Sequence, residues 1–397
     1  MISSSLCKVC LFACVVMLIS SEATMASPRV PTNDSEILEH LPSRPFGPSP
    51  SQERALRELV GRQPEQLDLA LRLAQIEVER SRLTSDPRTL GQAQALLAPW
   101  WDDARPPVPV LVLRATIRQR SHVFAPARDD LRQAVEREPG NAQAWLILAS
   151  IDQVTGHLDD ATKSCSRLQE ISTPLVTLSC TAALNGVRGR AAQAYTSLAE
   201  VMQRENERGQ KELHSWMLTL QAELAERLDR RTDAERLYQE SLRADPDDTY
   251  TIAAYSDFLL DADHPESVAA LIAADTPIDT LLLRRAQAAQ RLHSPDAASI
   301  IADLDARFDA SRQRGDRVHL REEARYRLEL AKDPVGALEL AQANWEVQKE
   351  PLDARIFLEC AIAAGKPQAA SEVIEWIHST HLENPALARL VAEASAT

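Results

Sequence analysis

The sequence predicts an all-α fold, a right-handed α-α superhelical solenoid built from helical hairpins. The first observation is a spacing, because two small residues and a proline recur at twelve-residue steps, as in Ala115, Ala127, Pro139 and in Ala222, Ala234, Pro246. The second is composition, since 11 glycines against 23 prolines and few clusters of β-branched residues do not suit a sheet. The third is length, because 397 residues exceed one compact core. A solenoid accommodates that length, since each unit contacts only its neighbours.

The recurring small residues mark where two antiparallel helices can approach closely. Alanine allows this approach at the least cost in helix propensity, and the proline that follows ends the second helix. Further alanine pairs keep the same spacing: Ala149 with Ala161, Ala182 with Ala194, and Ala286 with Ala298. We therefore expect each pair to lie at the contact between the two helices of one hairpin.

The best-preserved unit carries Trp145, Leu148, Ala149, Gly156 and Ala161 in that order. This order resembles the tetratricopeptide repeat (TPR), a helical hairpin of about 34 residues. The resemblance extends from about residue 51 to the C-terminus and implies about eight or nine units. The segment from Asp86 to Trp101 is similar to segments of exported proteobacterial TPR proteins. The family resemblance implies a concave groove, lined by the first helix of each hairpin, that binds proteins or peptides.

Residues 1–26 have the pattern of a secretory signal peptide. Lys8 precedes an apolar run from Val9 to Ile19, which is too short for a permanent membrane anchor. Small residues of the kind found at a signal-peptidase cleavage site precede a cut after Ala26. A lipid anchor at Cys14 fits the pattern less well, and no second segment of spanning length follows. Residues 27–50 are rich in proline and predict a flexible leader. The sequence therefore predicts a periplasmic protein without a stable membrane span.

Residues 51–381 are predicted to form the solenoid and residues 382–397 a C-terminal capping helix. Leu387, Leu390 and Val391 supply the apolar face of that helix. The same segment could equally dock onto a partner.

No motif for catalysis, a cofactor or a metal stands out. Phosphate-binding glycine loops, nucleophile elbows and the H-E-x-x-H pattern are missing from the sequence, so we expect neither an enzyme nor a cofactor. His378 and His381 with Glu383 could be imagined as metal ligands, although the end of a solvated helix explains them better. The net charge of −14 argues against a nucleic-acid partner.

The groove is the candidate binding site, and the repeat register indicates which side chains face it. The early part is neutral, with Gln119, Arg120 and Gln153. The middle is acidic, with Glu223, Glu226, Asp257 and Asp261. The late part is basic, with Arg291, Arg321, Arg325 and Arg355 beside Gln287 and Gln290. A groove of mixed charge suits an extended peptide that carries charges of both signs.

Two cysteines in adjacent helices could form a disulfide. Cys165 lies in the second helix of one unit and Cys180 in the first helix of the next, and an oxidising compartment would permit the bond. A free, buried Cys165 would fit the repeat as well.

Three functions are compatible with the sequence. The leading one is an exported interaction scaffold that binds a protein or peptide partner in the groove. The alternative is a structural or assembly subunit of an envelope complex that uses edges and the convex face. The third, a helical-repeat enzyme acting on envelope glycans, is disfavoured because aromatic residues are only 4% of the chain. The partner and the oligomeric state cannot be inferred from the sequence.

Overall fold

A computed structural model describes residues 48–84, 86–205, 211–316 and 318–396. The predicted signal peptide and nearly all of the leader lie outside these residues. The described residues form helices and no strand, which confirms the all-α solenoid. The helices are α1 (Pro50–Arg62), α2 (Leu67–Thr84), α3 (Pro87–Leu96), α4 (Ala98–Trp101), α5 (Val108–Arg120), α6 (Phe124–Arg137), α7 (Ala142–Val154), α8 (Leu158–Ile171), α9 (Pro174–Val187), α10 (Ala191–Glu205), α11 (Lys211–Arg227), α12 (Arg231–Ala244), α13 (Thr249–Asp261), α14 (Pro265–Leu271), α15 (Asp279–Arg291), α16 (Ala297–Gln313), α17 (Leu320–Glu329), α18 (Pro334–Trp345), α19 (Pro351–Ala363), α20 (Ser371–Thr380) and α21 (Pro385–Ala396), with a 3-10 turn at Pro367–Ala370.

Successive helices pair into antiparallel hairpins. The pairs are α2 with α3, α5 with α6, α7 with α8, α9 with α10, α11 with α12, α13 with α14, α15 with α16, α17 with α18, and α19 with the 3-10 turn and α20. The first helices also contact one another, as α5 contacts α7 and α15 contacts α17. The chain is therefore a stack of hairpins in the manner of TPR proteins.

The predicted alanine contacts are buried in the early and middle hairpins. Ala115, Ala127, Ala222 and Ala234 have no exposed surface. The prediction is wrong for Ala298, which is exposed, whereas its neighbour Ala297 packs on the cluster around Ala286. The loop before α16 changes the register by one residue, so the twelve-residue spacing fails there.

The loops within most hairpins share one backbone conformation. A residue of positive φ follows the first helix, and the next N–H bonds back to a carbonyl of that helix; Val123 N–H donates to Arg118 O and Arg190 N–H to Asn185 O. This is the Schellman arrangement that ends a helix. The positive-φ position is Gly189 in one loop and Gly365 in another, but His122 between α5 and α6. The position therefore does not require glycine.

The solenoid curves until late hairpins contact earlier ones. Lys349 N–H donates to Val154 O at 2.7 Å, and Ala191 N–H donates to Glu383 Oε2 at 2.8 Å across 192 positions. Trp376 packs against the apolar cluster that contains Cys165 and Cys180. The Cα atoms of those cysteines are 5.6 Å apart, and a disulfide between them joins α8 to α9.

The C-terminal helix α21 covers the end of the last hairpin. Leu387 is fully buried against α19, and Leu390 and Val391 pack beside it. No helix among the described residues has the length and apolar character needed to cross a membrane.

Replacing Gly189 by alanine is expected to disturb the contact between early and late hairpins. A Cβ at Gly189 would lie 2.5 Å from the carbonyl oxygen of His381, so the later hairpin must move. Gly365→Ala is the matched control, because Gly365 has a similar φ of 64° and no atom within 4 Å of its Cβ. We expect about 1 kcal/mol of lost stability for Gly365→Ala and about 1–3 kcal/mol more for Gly189→Ala. Equal losses in urea unfolding would contradict the close approach.

Peptide mapping tests the disulfide directly. Trypsin cleaves after Lys163, Arg167 and Arg188, which places Cys165 and Cys180 in different fragments. We expect a non-reducing digest to contain these two fragments linked, and a reducing agent to separate them. The same fragments found unlinked, with alkylated thiols, would show that both cysteines are free.

Candidate functional site

The candidate site is the inner face of the later hairpins, formed by first-helix side chains that point toward the inside of the curve. Its residues are Glu223, Glu226, Asp257, Asp261, Arg284, Gln287, Arg291, Arg321, Arg325, Arg355 and Glu359. Two contacts define this face: Arg325 reaches Asp257 across 68 positions, and Arg355 reaches Asp261 across 94. First helices that are not neighbours in the stack can touch only on the inside of a curve.

Asp257 is the most connected group on the inner face. Its carboxylate accepts hydrogen bonds from Arg284 Nη2 at 2.6 Å, from Arg284 Nε at 3.1 Å and from Arg325 Nη1 at 2.5 Å. Burial opposes the ionisation of Asp257, but Arg284 and Arg325 outweigh it and lower the pKa to about 2. Asp257 is therefore an ionised carboxylate that joins α13, α15 and α17.

Asp261 lies one helical turn beyond Asp257 on α13 and pairs with α19. Arg355 approaches it with both terminal nitrogens, and Nη2 donates to Oδ1 at 2.8 Å. Arg355 Nε also donates to Glu359 Oε1 at 2.8 Å, four residues along its own helix. The same local pairing holds Arg325, whose Nε donates to Glu329 Oε1 at 3.0 Å. Each arginine therefore has one carboxylate on its own helix and one on α13.

Arg321 is held by the start of α19. Its Nη1 donates to Glu350 Oε2 at 3.0 Å and to Asp353 Oδ1 at 3.4 Å. Burial raises the pKa of Asp353 to about 7, although the positive charge of Arg321 opposes the rise. Arg291, at the end of α15, donates from Nη1 to Leu260 O at 2.6 Å. All four predicted arginines of the late groove thus have partners within the chain.

Glu223 and Glu226 bond to tyrosines rather than to arginines. Glu226 accepts from the hydroxyl of Tyr238, and Glu223 accepts from the hydroxyl of Tyr250 at 2.5 Å. Burial raises the pKa of Glu223, although the positive charge of Arg227 opposes the rise. Burial together with the nearby carboxylates of Glu223, Asp261 and Asp257 raises the pKa of Glu226 to about 8.

Glu226 in particular lacks a cationic partner. No arginine or lysine of the described residues forms an ion pair with it, and the charged groups that shift its pKa are the carboxylates of Glu223, Asp261 and Asp257. The end of the inner face that holds Glu223 and Glu226 therefore has an excess of carboxyl groups.

The predicted glutamines differ in their surroundings. Gln287, three residues after Arg284 and four before Arg291, is only 2% exposed, and neither its Nε2 nor its Oε1 has a hydrogen-bond partner among the described residues. Gln290 is half-buried on the same helix. In the early groove, Gln119 Nε2 donates to Ser150 Oγ at 3.2 Å, and Gln153 is half-buried. Burial lowers the pKa of Arg120, whose buried Nε has no hydrogen-bond partner in the described chain.

The charges of the inner face are interleaved rather than separated. The sequence places acids in the middle of the groove and arginines in its late part, but the curvature brings Asp257 to Arg325 and Asp261 to Arg355. Sequence reasoning missed Arg284, Glu329 and Glu359. The helical period identifies each of them, because Glu329 and Glu359 lie four residues after predicted arginines and Arg284 lies seven before Arg291. The binding role of the predicted groove residues stays a prediction.

A separate cavity of about 470 Å³ lies between the α8–α9 region and the end of α20. Thr162, Asn185, Arg188, Arg190 and His381 are among its lining residues. Arg188 in this cavity is held by Asp159 Oδ1 at 2.7 Å. The described residues contain no group of three or more His, Cys, Asp or Glu arranged to hold a metal ion, and this includes the surroundings of His378 and His381.

No protein-family model and no curated protein sequence matches the chain. Three solved structures that share its helical stacking are a monomeric mutant of IFIT1 with Gppp-AAAA (13% identity, TM-score 0.46, 83% of this chain and 76% of that chain), the TPR domain of P58(IPK) (13%, 0.24, 81% and 97%) and yeast Tom70 (10%, 0.25, 87% and 95%). At this identity and TM-score they indicate nothing about the partners of this chain. The hairpins and the repeat order of residues define a TPR-like helical-repeat protein.

Replacing Glu226 by glutamine is expected to change how stability depends on pH. The pKa of Glu226 is raised to about 8 in the folded protein, whereas an unfolded chain has a glutamate pKa of about 4.3. Between these values the unfolded chain releases the proton and the folded protein keeps it, so the contribution to folding stability falls as pH rises. Glu226→Gln removes that fall and should raise Tm by about 2 °C or more near pH 8, with little effect near pH 4.

The control for this measurement is Glu136→Gln, on the exposed face of α6. A Tm difference between Glu226→Gln and the unmodified protein that is the same at every pH would contradict the raised pKa.

Proposed function

We propose that this protein is an exported interaction scaffold that binds an extended protein or peptide segment along its inner face. The observation that carries the proposal is a pair of carboxyl groups on that face, Glu223 and Glu226, that bond to tyrosine hydroxyls rather than to cations. The N-terminal signal-like sequence supports export. A scaffold of this kind acts by binding alone.

The acidic end indicates what kind of segment binds there. Arg321, Arg325 and Arg355 already hold carboxylates, so their charge is used within the chain. The carboxyl groups of Glu223 and Glu226 have no such partner among the described residues, and Glu226, whose pKa is raised to about 8, would release its proton when a cation binds beside it. A lysine or arginine side chain of a partner would supply that charge and would form charge-assisted hydrogen bonds with both groups. Tyr250, 57% exposed, offers a ring over which the same cation can lie.

Peptides of defined charge test the proposal while the natural partner is unidentified. Three labelled peptides of equal length, with lysine, glutamate or serine alternating with glycine, are titrated with the purified protein at low and high salt. We expect the lysine peptide to bind most tightly at low salt and to lose affinity at high salt. The double variant Glu223→Gln, Glu226→Gln should weaken that binding about tenfold, because two charge-assisted contacts are lost.

The matched control is the double variant Asp129→Asn, Glu136→Gln, which also removes two carboxyl groups, on the exposed side of α6. Equal affinity of all three peptides, or equal weakening by the inner and outer variants, would overturn binding on the inner face. The second of these results would favour the alternative in which edges and the convex face bind partners.

A further inference from the structure

Two aspartates on α13 reach across the inner face to two later helices. Asp257 and Asp261 are one helical turn apart, and their arginine partners lie 68 and 94 positions further along the chain. Neighbouring first helices are normally joined by contacts within or between adjacent hairpins. These two ion pairs instead skip intervening hairpins, so they exist only while the solenoid is tightly curved.

Each of the two arginines is also held by a glutamate of its own helix. Glu359 holds Arg355 Nε at 2.8 Å and Glu329 holds Arg325 Nε at 3.0 Å, in both cases from four residues along the same helix. The terminal nitrogens of Arg355 then face Asp261 as a two-pronged donor, which is the geometry that guanidinium groups use to bind carboxylates. Arg355 is thus a prepared carboxylate-binding group, and Asp261 is its present occupant.

We propose that Asp257 and Asp261 form an internal latch, which occupies carboxylate-binding positions on Arg325 and Arg355 that an acidic segment of a partner takes when the latch opens. This inference rests on the proposed function, because it assumes that the inner face binds a partner segment. It adds a second class of partner group, a carboxylate, to the cation expected at Glu223 and Glu226.

The two pairs of the latch differ in their access to water. The side chains of Asp261 and Arg355 are 30% and 27% exposed, whereas those of Asp257 and Arg325 are 16% and 7% exposed. A partly exposed ion pair is a weak interaction that salt screens, so Asp261 can leave Arg355 without unfolding the chain. A carboxylate of the partner therefore replaces Asp261 first. Asp257 is replaced afterwards, because Arg284 also holds it.

Removal of the latch carboxylate should increase affinity for an acidic probe. When only a fraction of the protein molecules has the open latch, the apparent affinity for the probe is reduced by that fraction. Asp261→Asn keeps the side-chain shape and removes the charge, so we expect the alternating glutamate–glycine peptide to bind about fivefold more tightly than to the unmodified protein. Arg355→Gln combined with Asp261→Asn should abolish the gain, because the carboxylate-binding group is then missing.

The control is Asp303→Asn, which removes an ion pair within the single helix α16, where Asp303 binds Arg307 at 2.7 Å. Small-angle X-ray scattering gives a second measurement that needs no peptide. The radius of gyration of the unmodified protein should rise with added NaCl, and Asp261→Asn should be expanded already at low salt. Unchanged peptide affinity in Asp261→Asn, an equal gain in Asp303→Asn, or a radius independent of salt would overturn the latch.

The two proposals fail in different ways. Failure of the unmodified protein to bind the lysine peptide refutes the inner-face scaffold. Retained lysine-peptide binding, with no gain for the glutamate peptide in Asp261→Asn, refutes the latch alone.

Discussion

The interior chemistry of this protein depends on the tight curvature of its hairpin stack. Asp261 and Arg355 lie 94 positions apart in sequence and on helices separated by two intervening first helices, yet they form an ion pair. The curvature that allows this contact depends on how closely the helices of each hairpin pack. Fully buried alanines such as Ala222 and Ala234 let the two helices of a hairpin approach closely. A change in that packing therefore acts on the inner face even where it touches no charged residue.

The contacts between early and late hairpins and the ion pairs of the inner face favour the same curved shape. Lys349 reaches Val154, and Glu383 caps the start of α10 at Ala191. The disulfide between Cys165 and Cys180 joins α8 to α9 on the early side of this contact. Trp376 of the late side packs against the apolar cluster that contains both cysteines. A repeat protein otherwise gains stability only from neighbouring units. Here the contacts between residues far apart in sequence also stabilise the curvature, so the curvature depends on the whole stack of hairpins.

The sequence predicted the fold well because local spacing determines it. The steps from Ala115 to Ala127 and from Ala222 to Ala234 each report a contact within one hairpin, and both are buried as expected. The step from Ala286 to Ala298 failed, since the contact falls at Ala297, eleven residues after Ala286, and leaves Ala298 exposed. The same local spacing identifies which residues share one face of a single helix. Which residues meet across the inner face was not, because it depends on the accumulated rotation of several hairpins.

The two ends of the inner face differ in whether their charged groups form ion pairs within the chain. Net charge alone describes an acidic chain, and the order of residues in sequence describes an acidic middle followed by a basic end. In space, Arg325 and Arg355 are matched by Asp257 and Asp261, whereas Glu226 bonds among the described residues to the hydroxyl of Tyr238 and to no cation. A raised pKa at Glu226 is the physical sign of that mismatch, because a buried carboxyl group without a cation holds its proton more firmly. A bound cation would remove the mismatch, so cation binding and proton release at Glu226 are thermodynamically linked.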